Sequence, residues 1–144
     1  MRGYRITTHI DEMNLQVIHE FLANSYWSKG IPYSTLKRAI ENSLSFGVLA
    51  DQGEQVAFAR MVTDRATYAY LADVFVVESH RGKGIAQWLV QTIMDYPDLQ
   101  NLRRITLATR DAFGLYEKVG FTPLVKPQIF MEVWKPDVYQ KIDS

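Results

Sequence analysis

Two glycines one residue apart, Gly82 and Gly84, follow a short β-branched and aromatic run and precede a helical pattern. Glycine lets an anionic group approach the main chain where a Cβ would block it. The first N–H groups of a helix have no partner inside the helix and carry partial positive charge. Arg81 and Lys83 add full charges at the same place. The stretch therefore predicts a phosphate site, and the spacing alone leaves equally open a β–α turn whose glycines serve only geometry.

The spacing fits neither common nucleotide signature. A P-loop requires Ser or Thr directly after its Gly-Lys pair, and no such residue stands there. The dinucleotide fingerprint requires a small residue three positions after its second glycine, where this chain has Gln87. The pattern instead resembles the Arg/Gln-x-x-Gly-x-Gly/Ala motif of the GCN5-related N-acetyltransferases (GNAT), with matches at Arg81, Gly84 and Ala86.

A second stretch, residues 109–121, is similar to the family's Asn-x-x-Ala-hydrophobic-x-Leu-Tyr-x-x-x-Gly-Phe motif, and the similarity spans roughly residues 44–134. The resemblance implies that acetyl-coenzyme A binds with its pyrophosphate on the glycine-rich amides and its pantetheine along the preceding strand. Thr109 departs from the family's usual Asn, and a hydroxyl lacks the paired geometry of an amide. The cofactor-binding residues implied are Val74, Phe75, Val76, Arg81, Gly82, Lys83, Gly84, Ile85, Ala86, Thr109, Ala112 and Tyr116.

Acetyl transfer to an amine also requires a polarised carbonyl, a base and an acid for the leaving thiolate. The resemblance implies a main-chain N–H, at Val76, for the carbonyl and Tyr116 as the acid, since a phenol of pKa about 10 suits a thiolate. Packing on a helix is the alternative role for Tyr116. The predicted base is Asp73, with Asp111, Glu78 or a water molecule as alternatives.

The acceptor is predicted to bind at the aromatic loop of residues 26–33, through Tyr26, Trp27 and Tyr33, because loops on a scaffold often carry binding residues. The alternative is that these rings pack into the core. A small-molecule primary amine is the leading acceptor. A non-catalytic acyl-coenzyme A sensor and a protein or peptide N-acetyltransferase are the other hypotheses.

Composition limits the possible partners. The formal net charge is zero, with 16 basic and 16 acidic residues, whereas nucleic-acid binders usually carry a basic excess. The chain has no cysteine, and its three histidines show no ligand spacing, so no metal site is expected. No membrane span or signal-like stretch is visible, so a cytoplasmic location is expected. The oligomeric state stays open.

The length of 144 residues is typical of one domain, expected to span residues 1–144. Turn-forming residues separate the apolar runs. The predicted strands are residues 4–8, 44–50, 55–63, 67–76, 104–108 and 129–134. The predicted helices are one capped by Asp11 or Asn14, one capped by Ser34, one after Gly82 that ends before Pro97, and residues 112–119 closed by Gly120.

These elements predict an α+β fold. Three strands joined by tight turns form an antiparallel meander, and the helix after Gly82 crosses over to a strand that runs parallel to the preceding one. The central sheet is therefore mixed but mainly antiparallel, with helices on both faces, as the resemblance also implies. The polar tail after Pro136 is expected to be loosely held.

Overall fold

The computed structural model of the chain describes residues 1–142 and contains one five-stranded sheet in the order β1-β2-β3-β4-β5. The first four strands pair antiparallel and β5 pairs parallel with β4. The strands are β1 Tyr4–Thr7, β2 Leu44–Ala50, β3 Gln55–Thr63, β4 Tyr68–Val76 and β5 Arg104–Leu107. The α-helices are α1 Leu15–Ala23, α2 Tyr33–Glu41, α3 Ile85–Met94, α4 Phe113–Glu117 and α5 Val138–Ile142. The α+β prediction is confirmed.

The two hairpins that join β2, β3 and β4 form where the turn chemistry predicts them. Gly53 adopts φ +85°, a left-handed conformation that glycine reaches without strain. In the second turn the Asp64 carboxylate accepts hydrogen bonds from the main-chain N–H groups of Ala66, Thr67 and Tyr68. These bonds, with one from the Thr67 hydroxyl, hold the pKa of Asp64 well below its usual range. A single exposed carboxylate thus fixes the turn that aligns β3 with β4.

Helices cover both faces of the sheet. On one face α3 buries Ile85, Leu89, Val90 and Ile93 against side chains of β2, β3 and β4. On the other face α1 and α2 bury Ile18, Leu22, Leu36 and Ile40 around the rings of Phe58 and Phe75. The apolar residues of each helix recur at helical spacing, so each helix presents one apolar stripe to the sheet. The sheet therefore lies between two apolar clusters, one on each face.

The helix starts agree with the sequence prediction except at α2. Asn14 caps α1, because its side chain accepts a hydrogen bond from Val17 N. The expected cap of α2 was Ser34, but the helix begins at Tyr33 with Pro32 at the cap position and no side-chain cap. The cap thus lies two residues earlier than predicted, at Pro32, whose backbone is extended with φ −64° and ψ 147°.

The predicted last strand, residues 129–134, is wrong. The structure has a 3-10 turn at Pro127–Ile129 and then extended chain that pairs with no strand of the described residues. The segment has the β propensity of a strand, but it forms no ladder with any strand of the described residues.

The tail after Pro136 was expected to be loosely held, and its described part differs from that expectation, since Val138–Ile142 form α5. Residues 143–144 lie outside the described residues. Tyr139 packs against the apolar cluster under α1 and α2, and its Cβ lies beside Gly30. In the described residues no helix is long and apolar enough to cross a bilayer.

Candidate active site

β4 and β5 pair over only part of their course. The register joins Tyr68 to Arg104 and ends at Leu71 and Leu107. Beyond that point β4 continues to Val76, whereas β5 ends and the chain after it enters the loop before α4. Parallel strands that separate in this way leave main-chain groups of β4 without a partner strand. The opening between them is bounded by Val74 on one side and Ala112 on the other.

A β-bulge lies at the point where β4 leaves β5. Phe58 pairs with Phe75 and Arg60 with Ala72, so β4 has one residue more than β3 over this interval. Asp73 takes up the difference with φ +58°, a left-handed conformation that Asp tolerates better than most residues. Bulges redirect side chains next to functional sites. Here the bulge directs the Asp73 side chain toward Arg60 and Trp27.

The Asp73 carboxylate is buried and has a donor on each oxygen. Its Oδ1 accepts from Trp27 Nε1 at 2.8 Å and its Oδ2 from Arg60 Nε at 2.7 Å. Arg60 also donates from Nη1 to the Ser43 hydroxyl at 3.1 Å. The Asp73 carboxylate therefore joins the aromatic loop, through Trp27, to the middle of the sheet, through Arg60.

A cavity of about 370 Å³ lies on the α3 side of the opening. Gly82 and Gly84 border it with φ +79° and +82°, and a Cβ on either would meet no atom within 4 Å. Gly84 is the cap residue of α3, and among the described residues no side-chain hydrogen bond caps the N-terminus of that helix. Free amides, open space beside both glycines and the nearby Arg81 are the features that hold an anion. These residues fit the pyrophosphate of coenzyme A.

The main chain of β4 also presents groups to this cavity. Val77 N donates to Val56 O of β3 at 2.8 Å. Successive amides of a strand point to opposite sides, so the N–H groups of Val76 and Val74 point away from β3 and into the opening. Arg81 Nε donates to Val76 O at 2.9 Å on the same side. The predicted Val76 N–H group therefore points toward the position expected for the acetyl carbonyl, and the Val74 N–H group points to the same side.

A second cavity, of about 580 Å³, opens on the other side of β4, and we call it the acceptor cleft. Aromatic and charged side chains dominate its wall, and the Arg110 guanidinium lies 3.8 Å from the centroid of the Tyr26 ring. The wall includes Tyr26, Trp27, Arg60, Tyr70, Asp73, Thr109, Arg110, Asp111, Tyr116 and Tyr139. The volume is in the range of small-molecule sites.

The two cavities share three lining residues: Val74, Ala112 and Tyr116. Burial, with a further contribution from the Tyr26 phenol, raises the pKa of Tyr116 to about 12. Its ring meets Phe121 edge to face at 6.0 Å. The Tyr116 phenol is thus protonated at neutral pH and lies where the two cavities meet.

Most of the predicted site residues come together here. Asp73, Val74, Thr109, Ala112, Tyr116, Tyr26 and Trp27 line the acceptor cleft, and Val74, Phe75, Val76, Arg81, Gly82, Gly84, Ile85, Ala86, Ala112 and Tyr116 line the α3-side cavity. Thr109 accepts a hydrogen bond from Ala112 N at 3.0 Å, so its oxygen stabilises the start of α4.

Three predicted residues lie elsewhere. Tyr33 starts α2 and meets His19 edge to face at 5.5 Å, away from the cavities described above. Lys83 Nζ reaches the Tyr4 hydroxyl at 3.4 Å. Glu78, an alternative base, lies in a 3-10 turn after β4.

Sequence reasoning missed Arg60 and Tyr139. Arg60 had a usable signal: it is a charged residue inside an otherwise apolar strand, and the next strand carries one buried acid, Asp73. Buried charges are usually paired. Tyr139 had none, because it lies in a polar segment without a periodic apolar pattern.

The sequence also matches known proteins. The profile of the Acetyltransferase (GNAT) family matches residues 14–121. A crystal structure of a Xanthomonas campestris protein, described as a suspected acetyltransferase of the GNAT family, superposes with a TM-score of 0.93 at 46% identity, over 96% of this chain and 98% of that one. A Gibberella zeae protein whose name suggests an acetyltransferase is 27% identical over 80% of this chain and 76% of its own length.

A more distant fold neighbour is the Vibrio cholerae spermidine N-acetyltransferase, solved in complex with CoA and spermine. It superposes with a TM-score of 0.67 at 21% identity over 85% of this chain and 82% of that chain. The family match covers most of the chain, and the paired motifs lie on the separated strands and the α3 start. The chain belongs to the acetyltransferase (GNAT) family and is an acetyl-coenzyme A-dependent N-acetyltransferase.

Proposed function

We propose that the enzyme transfers the acetyl group to the primary amine of a small molecule by direct attack of the amine on the thioester. The observation that carries this proposal is the meeting of two cavities at Val74, Ala112 and Tyr116. One cavity fits the cofactor and the other has the size of a small-molecule site. An amine in the acceptor cleft and a thioester in the α3-side cavity would meet at the shared residues without a covalent enzyme intermediate.

The cofactor supplies an activated acetyl group as a thioester. The free amides at the start of α3 and the Arg81 guanidinium would hold its pyrophosphate. The Val76 and Val74 N–H groups point into the opening along which the pantetheine arm would extend. A main-chain N–H in this position stabilises negative charge that develops on a carbonyl oxygen. Val74 borders both cavities, so its amide supplements the predicted Val76 amide at the reacting carbonyl.

Tyr116 would donate its phenolic proton to the departing thiolate. Its pKa of about 12 keeps it protonated over the physiological range, so the proton is present when the thiolate forms. Phe121 packs on the ring and holds its orientation. Gly120 lies in the turn after α4 with φ +103°, and that turn returns Phe121 to the helix, where Phe121 N donates to Tyr116 O at 3.1 Å.

Asp73 is the proposed base. It is the one acid of the cleft wall that is buried, whereas Asp111 is exposed. Both Asp73 oxygens already accept a hydrogen bond, so the remaining lone pairs would receive the ammonium proton directly or through a water. Tyr26, Trp27 and Tyr70 would contact the body of the acceptor, since aromatic faces bind cations and apolar groups alike.

A panel of amines assayed for free thiol release tests the proposal. The panel contains polyamines, amino acids, amino sugars and lysine peptides, with acetyl-coenzyme A as donor. Saturable thiol release with a small amine, and acetylated product by mass spectrometry, supports the proposal. Release with peptides only indicates a protein acetyltransferase. Tight cofactor binding without release for any amine indicates the sensor alternative and contradicts the proposal.

A further inference from the structure

The wall of the acceptor cleft carries four charged side chains, and they fall into two groups. Arg60 and Asp73 are withdrawn from solvent and form an ion pair, with Nε and Oδ2 2.7 Å apart. Arg110 and Asp111 are exposed on the same wall, and neither joins an ion pair within residues 1–142. The first pair is neutralised inside the protein, so the charges that an acceptor would meet are those of Arg110 and Asp111.

The Arg110 guanidinium is held in place by the aromatic loop. Its Cζ lies over the Tyr26 ring, 3.8 Å from the centroid, within the range of a cation–π contact. The Tyr26 ring meets the Trp27 ring edge to face at 5.1 Å, and Trp27 Nε1 donates to the Asp73 carboxylate. Two rings therefore connect Arg110 to the proposed base and restrict the position of the guanidinium relative to it.

The contact with Tyr26 leaves the hydrogen-bond donors of Arg110 free. A guanidinium is planar and its five N–H groups lie in that plane, so a face that rests on a ring uses none of them. Because Arg110 has no acidic partner among the described residues, these donors are available to a bound anion. A carboxylate fits them well, since its two oxygens accept two parallel N–H bonds from one guanidinium.

Arg110 also lies close to the point where the two cavities meet. It lines the acceptor cleft but not the α3-side cavity, whereas Ala112, two residues later, borders both. Two residues of chain span at most about 7 Å. The Thr109 hydroxyl accepts from Ala112 N at 3.0 Å and closes the loop that carries Arg110. A carboxylate on Arg110 and an amine at the junction of the cavities can therefore belong to one small molecule.

We propose that the acceptor is an amino acid, or a similar small amine that carries a carboxylate, and that Arg110 binds this carboxylate. The inference rests on the proposed function and names the acceptor class for the same cleft. The amine lies toward Val74 and Tyr116, where the thioester is expected. Such an acceptor arrives with one ammonium and one carboxylate, which complement the two unpaired charges of Asp111 and Arg110.

The charges of the cleft disfavour two other acceptor classes. A polyamine would bring a second ammonium toward Arg110, and like charges that face each other in a binding site are unfavourable. The buried Asp73 offers it little compensation, because both carboxylate oxygens already accept a hydrogen bond. A phosphate carries a charge of about −1.5 to −2 at neutral pH. Asp111, next to Arg110 in the chain, opposes the part of that charge that one guanidinium does not neutralise.

Matched acceptors test the proposal on the natural chain. The amino acids are first assayed for thiol release, and the best of them is compared with its carboxamide, which has nearly the same shape and no negative charge. We expect kcat/KM to be about 10- to 100-fold higher for the acid, chiefly through KM, because hydrogen bonds to a charged group are lost in the amide. The corresponding amine without the carboxylate, a polyamine and phosphoethanolamine complete the set.

Variants of Arg110 test which side chain produces the preference. Arg110→Met keeps most of the stem and removes the charge, so kcat/KM for the acid should fall to that of the carboxamide, with the carboxamide and the Kd of acetyl-coenzyme A unaffected. Arg110→Lys keeps the charge without the paired donors and should retain part of the preference. Arg104→Met is the matched control. Arg104 also lies over a ring, that of Phe130 at 4.9 Å, but outside the acceptor cleft, so this variant should keep the full preference.

The outcomes separate this inference from the proposed function. Equal kcat/KM for the acid and its carboxamide, a higher kcat/KM for the polyamine or phosphoethanolamine than for every carboxylate, or a preference that survives Arg110→Met overturns the carboxylate assignment, although the enzyme still acetylates small amines. Absence of thiol release with every amine contradicts the proposed function and this inference with it.

Discussion

Arg60 and Asp73 form a buried ion pair between neighbouring strands, with Nε and Oδ2 2.7 Å apart and side-chain exposures of 18% and 5%. The pair exists because the bulge in β4 directs the Asp73 carboxylate toward β3. Trp27 Nε1 donates a hydrogen bond to the other carboxylate oxygen of Asp73. One carboxylate thus ties the aromatic loop, the sheet and the wall of the acceptor cleft together.

Removing one partner of this pair should be costly. We expect Arg60→Met to lower the free energy of unfolding by about 3–5 kcal/mol, because it leaves a buried charge without a partner. The double variant Arg60→Met/Asp73→Asn should lose less than the sum of the single variants. Arg65→Met breaks the exposed pair with Asp98, and should cost about 0–1 kcal/mol in the same urea titration. Equal losses for Arg60→Met and Arg65→Met would contradict the buried-pair argument.

Asp73→Asn also tests the proposed base. Asn tolerates the left-handed conformation at φ +58° and keeps an oxygen for the Trp27 bond. If Asp73 takes up the amine proton, kcat should fall by about 10²–10⁴-fold while cofactor affinity stays near that of the natural chain. An Asn variant with full kcat assigns the proton to Asp111 or to a water, and Asp111→Asn then distinguishes these two.

Trp27→Ala should raise the KM of the acceptor and leave the Kd of acetyl-coenzyme A unchanged, since Trp27 lines the acceptor cleft but not the α3-side cavity. Loss of an aromatic contact worth about 0.5–2 kcal/mol corresponds to a rise in KM of about 2- to 30-fold. Tyr33 has the same 42% exposure as Trp27 but lies outside the cleft, so Tyr33→Ala should not change KM. A parallel rise in KM for both variants would restore Tyr33 to the acceptor site.

The sequence was sufficient to predict those elements whose structure is determined by one short segment of the chain. Gly53 and Asp64 define tight turns, and the stripe of Ile85, Leu89 and Ile93 defines α3 with its free N-terminus. The pattern did not reveal the bulge at Asp73, because one extra residue in a strand leaves no mark on an apolar run. Residues 129–134 were wrongly predicted as a strand for a related reason: β propensity describes the segment, but pairing depends on a partner elsewhere.

Gly84→Ala should abolish the stabilisation of the fold by acetyl-coenzyme A. At about 100 times its Kd the ligand adds roughly 2.7 kcal/mol to the natural chain, and a Cβ at Gly84 would occupy the space beside the free amides of α3. The variant also costs about 1–2 kcal/mol by itself, because φ is +82°. Gly53→Ala controls for this cost, since Gly53 has φ +85° in a turn remote from the site. Melting curves of both variants with and without ligand separate the two effects, and an undiminished ligand shift in Gly84→Ala would contradict the phosphate site.

The pH dependence of turnover should show no loss from Tyr116 ionisation below pH 10. Burial raises its pKa to about 12, so the acid form persists where an ordinary tyrosine of pKa about 10 would be half ionised. We expect kcat to rise as the amine loses its proton and then to remain level to pH 10. A fall in kcat with an apparent pKa near 10 that is absent in Tyr116→Phe would contradict the raised pKa.

Tyr116→Phe separates catalysis from packing. If the phenol protonates the leaving thiolate, it acts only in the transition state, so its removal should lower kcat without weakening acetyl-coenzyme A binding. General acid catalysis is typically worth about 10²–10⁴-fold, and we expect a loss in that range. The ring and its edge-to-face contact with Phe121 remain, so the melting temperature should change little. A purely structural Tyr116 gives the opposite result: Phe keeps full kcat, and Tyr116→Ala lowers stability, by less than the about 3–5 kcal/mol of a fully buried aromatic because Tyr116 is partly buried. Steady-state kinetics, cofactor titration and melting curves of the Phe and Ala variants decide between the two roles.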